Sequence, residues 1–252
     1  MDLDEYLMSE LNVSKKEANN IIEKVDYYKK NKNKFRKKKG LNISIPDYTL
    51  GEEIFNAISH GIGAAFSIVA LVLMVVKAEG VLAEVTTTLF GCTMILLYTI
   101  SCIYHALSPN IEGKKVMRVI DHCNVYLLVY GTYIPVSLLG IGGTKGLILF
   151  FVISFITLIG IILTSIKIDK TEVLQVICHL ISGWGILFII PTVLNTIGPK
   201  GFTYIILGGV MYTLGSILYG IGGKKRYMHS IFHIFCLLGT MFHFICVYTC
   251  LI

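Results

Sequence analysis

Gly146-Leu147-Ile148-Leu149-Phe150-Phe151-Val152-Ile153-Ser154-Phe155-Ile156-Thr157-Leu158-Ile159-Gly160-Ile161-Ile162-Leu163-Thr164-Ser165-Ile166 joins Lys145 to Lys167 without one charged side chain. At about 1.5 Å per residue, a helix of this length covers the ~30 Å hydrocarbon core of a bilayer. A strand cannot use such a run, because in lipid its backbone groups would go unpaired. Similar runs lie near residues 54–76, 86–107, 120–140, 173–194, 202–221 and 228–250. With 146–166 they make seven, and the expected fold is all-α, a polytopic membrane protein with seven transmembrane helices.

The composition agrees. Of 252 residues, 54% are hydrophobic and only 15% charged, against about 45–50% and about 25% in soluble domains. Mean hydropathy is +0.72. The charges gather before residue 54 and in short loops. Residues 1–47 therefore read as a cytosolic, amphipathic and polybasic segment, and residues 48–252 as the membrane domain. No apolar core follows Met1, so no signal peptide is expected. Ser14 and Glu17 have capping-box spacing. Ala18, Ile21, Ile22, Val25 and Tyr28 follow with helical periodicity, and a second short helix is expected around Leu3–Leu11. The basic run Lys29–Lys39 is either a solvated tether or an anchor to anionic headgroups. The net charge of +6 thus points to a membrane surface and not to nucleic acid. Seven cysteines, an odd number within apolar runs, imply no disulfide framework.

Loop charges set the orientation. With the N-terminus in the cytosol, Lys114, Lys115, Arg118, Lys167, Lys170, Lys224, Lys225 and Arg226 are also inside. Lys77, Lys145 and Lys200 are outside, and so is the C-terminus. Ser101 and His105 then end the second span, Asp121 opens the third, and His229 and His233 open the seventh. All five converge at one depth, near the cytosolic face.

His229 and His233 are one helical turn apart on one face. A lone intramembrane histidine is usually a hydrogen-bonded interhelical residue. Three at one depth, two of them at i,i+4, suit zinc held by His105, His229 and His233 with an open position for water. Asp121 is the candidate base and Ser101 the candidate orienting group. If Asp121 were only a headgroup-level residue, Arg118, three positions back, would be its partner. His60 shares a face with Glu53 and Asn56, and polar contact with them is its expected role. A fourth metal ligand, or a residue supporting the ligands from behind, is the alternative. His122 is expected to be structural, and His179 and His243 are weaker candidates, His243 lying too far along the seventh helix to share the ion and suited to lining a deeper cavity; Cys102 is a weak alternative ligand. Gly131-Thr132-Tyr133-Ile134-Pro135 interrupts the third span, and Gly208-Gly209 marks a close helix contact.

In these residues the chain resembles the hemolysin III family, the bacterial branch of the progestin and adipoQ receptor superfamily. The resemblance rests on Glu52/Glu53…Asn56…Ser59-His60, Ser101…His105, Arg118…Asp121-His122, and His229…His233…His243, in that order. It implies seven helices with the N-terminus inside, and zinc on His105, His229 and His233 with Ser101 and Asp121 beside it. The superfamily includes alkaline ceramidases, so a hydrolase of a lipid amide or ester is one expectation, with membrane lipids as partners or substrate. A non-enzymatic sensor or regulator of membrane lipid state, with zinc as a staple, is the second. A cytolysin is the third, and seven integral spans without a secretion signal oppose it.

Overall fold

The computed structural model describes residues 8, 13–36, 41–222 and 225–252. Apart from Met8, the helix expected around Leu3–Leu11 lies outside the described residues, as do the end of the basic run and Lys224. The chain divides into two compact units, Met1–Asn42 and Ile43–Ile252.

The first unit holds α1, Lys15–Arg36. Ser14 begins it as the spacing predicts. Its amide and hydroxyl donate to Glu17 Oε2 at 2.9 and 2.7 Å. These bonds hold the Glu17 carboxyl below its usual range.

The second unit contains α2 (Leu50–Lys77), α3 (Val81–Ala106), α4 (Glu112–Pro135), α5 (Gly143–Trp184), α6 (Ile190–Thr196), α7 (Gly198–Gly222) and α8 (Met228–Cys246). No strand occurs among the described residues. Consecutive helices pack as neighbours, and α8 returns to α2 to close the bundle. Two apolar clusters fill it. One gathers Tyr133, Ile153, Ile186 and Val193, and the other Met74, Phe90, Met94 and Tyr98. Large apolar side chains such as Phe188, Val76 and Val173 point outward instead. An apolar exterior of this extent suits lipid and not water.

Among the described residues six helical runs are long and apolar enough to cross a membrane, where the sequence leads one to expect seven segments. The difference lies in one run, Gly143–Thr196, which is 54 residues long. A straight helix of that length would reach roughly 80 Å, far beyond a ~30 Å core. Two helices in fact meet there at a kink, where Lys167 leaves helical geometry at φ −149°, ψ 59°. The apolar stretches expected at 146–166 and 173–194 lie on either side of it.

The interruption expected at Gly131–Pro135 takes a specific form. The helix is regular through Gly131 and ends at Pro135, then widens into a π-turn over Val136–Ile141. Proline cannot donate to the preceding turn, so the ladder must change there. Gly131 serves a close approach: a Cβ on it would meet Thr93 Oγ1 at 1.9 Å. Gly208 faces His243, and Gly209 faces Trp184, so this pair joins α7 to both α8 and α5.

Ser44, ahead of α2, is tied to the α5 kink. Its amide and hydroxyl donate to Asp169 at 3.0 and 2.7 Å. Buried Arg118 donates to the Ser44 carbonyl at 2.9 Å and to Asp169 at 2.5 Å, and it also bonds Glu172.

Candidate metal centre

The site begins with the way three helices start or stop. Thr49 caps α2 in a full capping box with Glu52, satisfying amides that the first turn leaves open. The other Glu52 oxygen accepts the Tyr227 amide at 2.6 Å. Tyr227 has φ 62°, an unusual left-handed residue for a side chain this large, and α8 starts at the next position. Glu52 thus fixes where the His229 and His233 helix begins. α3 ends just after His105, so His105 and Ser101 occupy its last two turns.

His105 and His233 are each 2% exposed, and His229 is partly buried. Their three ligand atoms lie within 4.8 Å of one another, and they form the one group of this kind among the described residues. The His229 and His233 Nε2 atoms are 3.0 Å apart. Two imidazoles on a tetrahedral ion with Zn–N of ~2.0–2.1 Å would have nitrogens about 3.3–3.4 Å apart, so this pair is already close to ligand spacing. His105 Nε2 is buried and has no hydrogen-bond partner. A buried imidazole nitrogen left open is costly, and a metal ion beside it would remove that cost. Three neutral nitrogen donors therefore fit a divalent cation such as zinc, and the donor set alone does not select the metal.

Asp121 and Ser101 line one cavity together with His60, His229 and His233. Asp121 lies within electrostatic reach of Ser101, His105 and His122. Arg118 is not its hydrogen-bonding partner, because its guanidinium is turned to Ser44, Asp169 and Glu172. The cavity, about 160 Å³, continues past Leu97, Cys236 and Tyr212 to His243. Its wall is mainly apolar. Tyr48 packs against the cluster: its ring stacks on His229 with centroids 4.9 Å apart and lies 5.9 Å from His105.

The remaining histidines line the same cavity but are not in the group. His122 bonds Gln175 at 3.0 Å. His179 stacks on Tyr126 at 3.8 Å, and His243 lies 3.3 Å from the Ile205 carbonyl. Cys102 faces Gly61 and is not in the group. His60 stacks on His233 at 3.8 Å, with both of its nitrogens buried and unpartnered.

Glu53 and Asn56 differ from the sequence expectation. Both approach His105 Nδ1, at 2.7 and 3.4 Å, and not His60. The signal was present, since Glu53, Asn56 and His60 share a face, but rotation about the helix could not choose between two histidines. Tyr48 and buried Lys114 carried no signal that would have set them apart from other loop residues.

Comparison with known proteins agrees with this architecture. The sequence model of the family described as "Haemolysin-III related" matches residues 48–244. The "Hemolysin-3 homolog" of Bacillus subtilis (strain 168) is 34% identical over 203 residues, covering 79% of this chain and 94% of that protein. "Hemolysin-3" of Bacillus cereus is 34% identical over 200 residues, covering 78% of this chain and 90% of that protein. With apolar membrane-crossing helices and a match over most of its length, the chain is a multi-pass membrane protein belonging to the hemolysin III family, within the progestin and adipoQ receptor superfamily.

Proposed function

We propose that this protein is a zinc-dependent membrane hydrolase that cleaves an amide or ester of a lipid at the cytosolic leaflet. In this reading the chain crosses the membrane seven times, N-terminus inside and C-terminus outside, with α5 crossing twice about Lys167. The observation that carries it is Asp121, a carboxylate at the histidine cluster with no arginine hydrogen-bonded to it, facing a mainly apolar cavity. A purely structural ion needs no carboxylate beside an open space. Bound between His105, His229 and His233, zinc would polarise the scissile carbonyl and make water more acidic. Asp121 then takes the proton of the attacking water and returns it to the leaving group. The Ser101 hydroxyl orients that water, and the apolar wall takes the acyl chain while excluding bulk solvent.

A second reading, a non-enzymatic regulator of membrane state, draws on the way the histidines join α3 to α8. An ion there would staple these helices together.

Asp121→Asn separates the two. Asparagine keeps the shape but cannot take a proton near neutral pH. A catalytic Asp121 predicts retained zinc and melting temperature, with turnover on a panel of ceramide-like and ester lipids down about 10²–10⁴-fold. The hydrolase reading is overturned if zinc-loaded native protein cleaves nothing in a broad panel, or if Asp121→Asn leaves an observed cleavage unchanged.

A further inference from the structure

Glu53 is the one carboxylate, among the described residues, paired with a histidine of the cluster. Its two oxygens go to two different helices. Oε2 lies 2.7 Å from His105 Nδ1 on α3, and Oε1 accepts from Lys114 Nζ on α4 at 2.5 Å. Lys114 is 0% exposed. Its ammonium also donates to the Leu107 carbonyl at 2.7 Å and lies 5.2 Å from the centre of the Tyr104 ring. A lysine buried this deeply at the edge of a membrane bundle is tolerated only with its charge matched and its donors used. Glu53 supplies the charge.

The arrangement decides the state of His105. An ionised carboxylate only accepts hydrogen bonds, and a neutral imidazole has one N–H to give. Beside Glu53, that N–H belongs on Nδ1. The lone pair is left on Nε2, the atom that is buried and unpartnered, on a ring whose centre lies 5.5 and 4.9 Å from those of His229 and His233. Asn56 fits the same assignment. Its Nδ2 lies 3.4 Å from His105 Nδ1 while its Oδ1 is buried without a partner. The two amide positions are interchangeable by a half-turn, and the half-turn presents Oδ1 to the same N–H.

We propose that Glu53, held in place by its bond from Lys114, is a positioning residue of the metal centre. It fixes the tautomer and the direction of His105 so that Nε2 binds the ion. This rests on the cluster being a metal site, as read above. Glu53 itself touches neither the ion nor a substrate. Partners of this kind outside the ligand set raise the basicity of the ligand and hold its ring, and losing them typically costs about 10–100-fold in metal affinity.

The test removes the pair together, because Glu53→Gln alone would leave the Lys114 ammonium buried without its counter-charge. In Glu53→Gln/Lys114→Met, glutamine keeps the shape of the acid and methionine most of the lysine stem. Full-length protein is purified, and zinc affinity is read by competition with a chelator. Melting temperature is measured with and without zinc. The expected result is an affinity lower by about 10–100-fold, with a smaller zinc-induced rise in melting temperature. A merely structural pair would lower the melting temperature equally with and without zinc.

Glu53→Asp is the milder companion. It keeps a charge for Lys114 but withdraws the carboxylate from His105 by one carbon, and it should weaken zinc binding while leaving the metal-free protein folded. Nitrogen NMR of the histidines, assigned against His105→Asn, should place the His105 proton on Nδ1 in the metal-free native chain. The role of Glu53 is overturned if both variants bind zinc as tightly as native protein, or if the native His105 proton sits on Nε2. A native chain that takes up no zinc refutes the metal centre instead, and the NMR reading of Glu53 stands apart from it.

Discussion

Removing one imidazole from the cluster should weaken zinc binding by roughly two to three orders of magnitude. Four-ligand structural sites are worth about 10–16 kcal/mol in total, or about 2.5–4 kcal/mol per ligand. At 1.4 kcal/mol per tenfold, that becomes about 10²–10³-fold. The three positions should differ in what else they lose. His229 is only partly buried, so His229→Ala is the cleanest probe of ligation. His233 is 2% exposed and stacked on His60, so its truncation also opens a hole and lowers the melting temperature. His105→Ala leaves the Glu53–Lys114 pair without its third member and should disturb folding most. His229→Ala/His233→Ala leaves one imidazole and should abolish stoichiometric zinc. His179→Ala, outside the cluster, should keep about one zinc per chain while losing its packing on Tyr126. Elemental analysis of purified protein and chelator competition read both quantities. Full zinc occupancy in the double variant would show that the ion, if there is one, sits elsewhere.

Other expectations follow from the same geometry. A reporter fused after Ile252 should report from outside the cell and one at Lys115 from the cytosol; a cytosolic C-terminal signal would invert the proposed orientation. Arg118→Met should destabilise by about 1–2 kcal/mol and expose the chain near Ser44 to protease, less than the 3–5 kcal/mol of a fully buried pair. The reason is that Asp169 and Glu172 are 33% and 40% exposed and can rehydrate; an unchanged melting temperature would show that the network holds nothing. Gly63→Val should cost about 1–3 kcal/mol by overpacking, because even a Cβ there meets the Tyr98 ring at 2.5 Å. It should also disturb the 2.6 Å bond from Tyr98 to Thr240, visible as a lower melting temperature with zinc binding kept.

The membrane fold was legible because lipid imposes one rule on every residue of a span. Charge-free length marks a helix whatever it packs against. The convergence of His105, Asp121, His229 and His233 was legible for the same reason, since topology places helix ends at one depth. What depth cannot supply is azimuth and partner choice. Glu53 was assigned to the His60 face of α2, and it is on that face, but the histidine it reaches belongs to α3. Arg118 was available to Asp121 at i,i+3, yet the α5 kink offered two carboxylates that its guanidinium reaches. Lys114 looked like an ordinary loop charge because nothing local distinguishes a lysine that snorkels outward from one folded under a loop onto a glutamate. The count of apolar runs blurred at Lys167, where one residue out of helical geometry separates two helices without a loop.

The three candidate ligands come from opposite ends of the membrane domain, His105 from α3 and His229 with His233 from α8, the last helix described. A ribosome adding roughly 5–20 residues per second delivers His229 roughly 6–25 s after His105. Throughout that interval α3 carries half of a polar arrangement with no counterpart, and Lys114 and Glu53 must already shelter His105 from lipid. A chain broken off before α8 can insert most of its helices and still lack two of the three donors. Ion retention would therefore require that α8 had been made and had met α3.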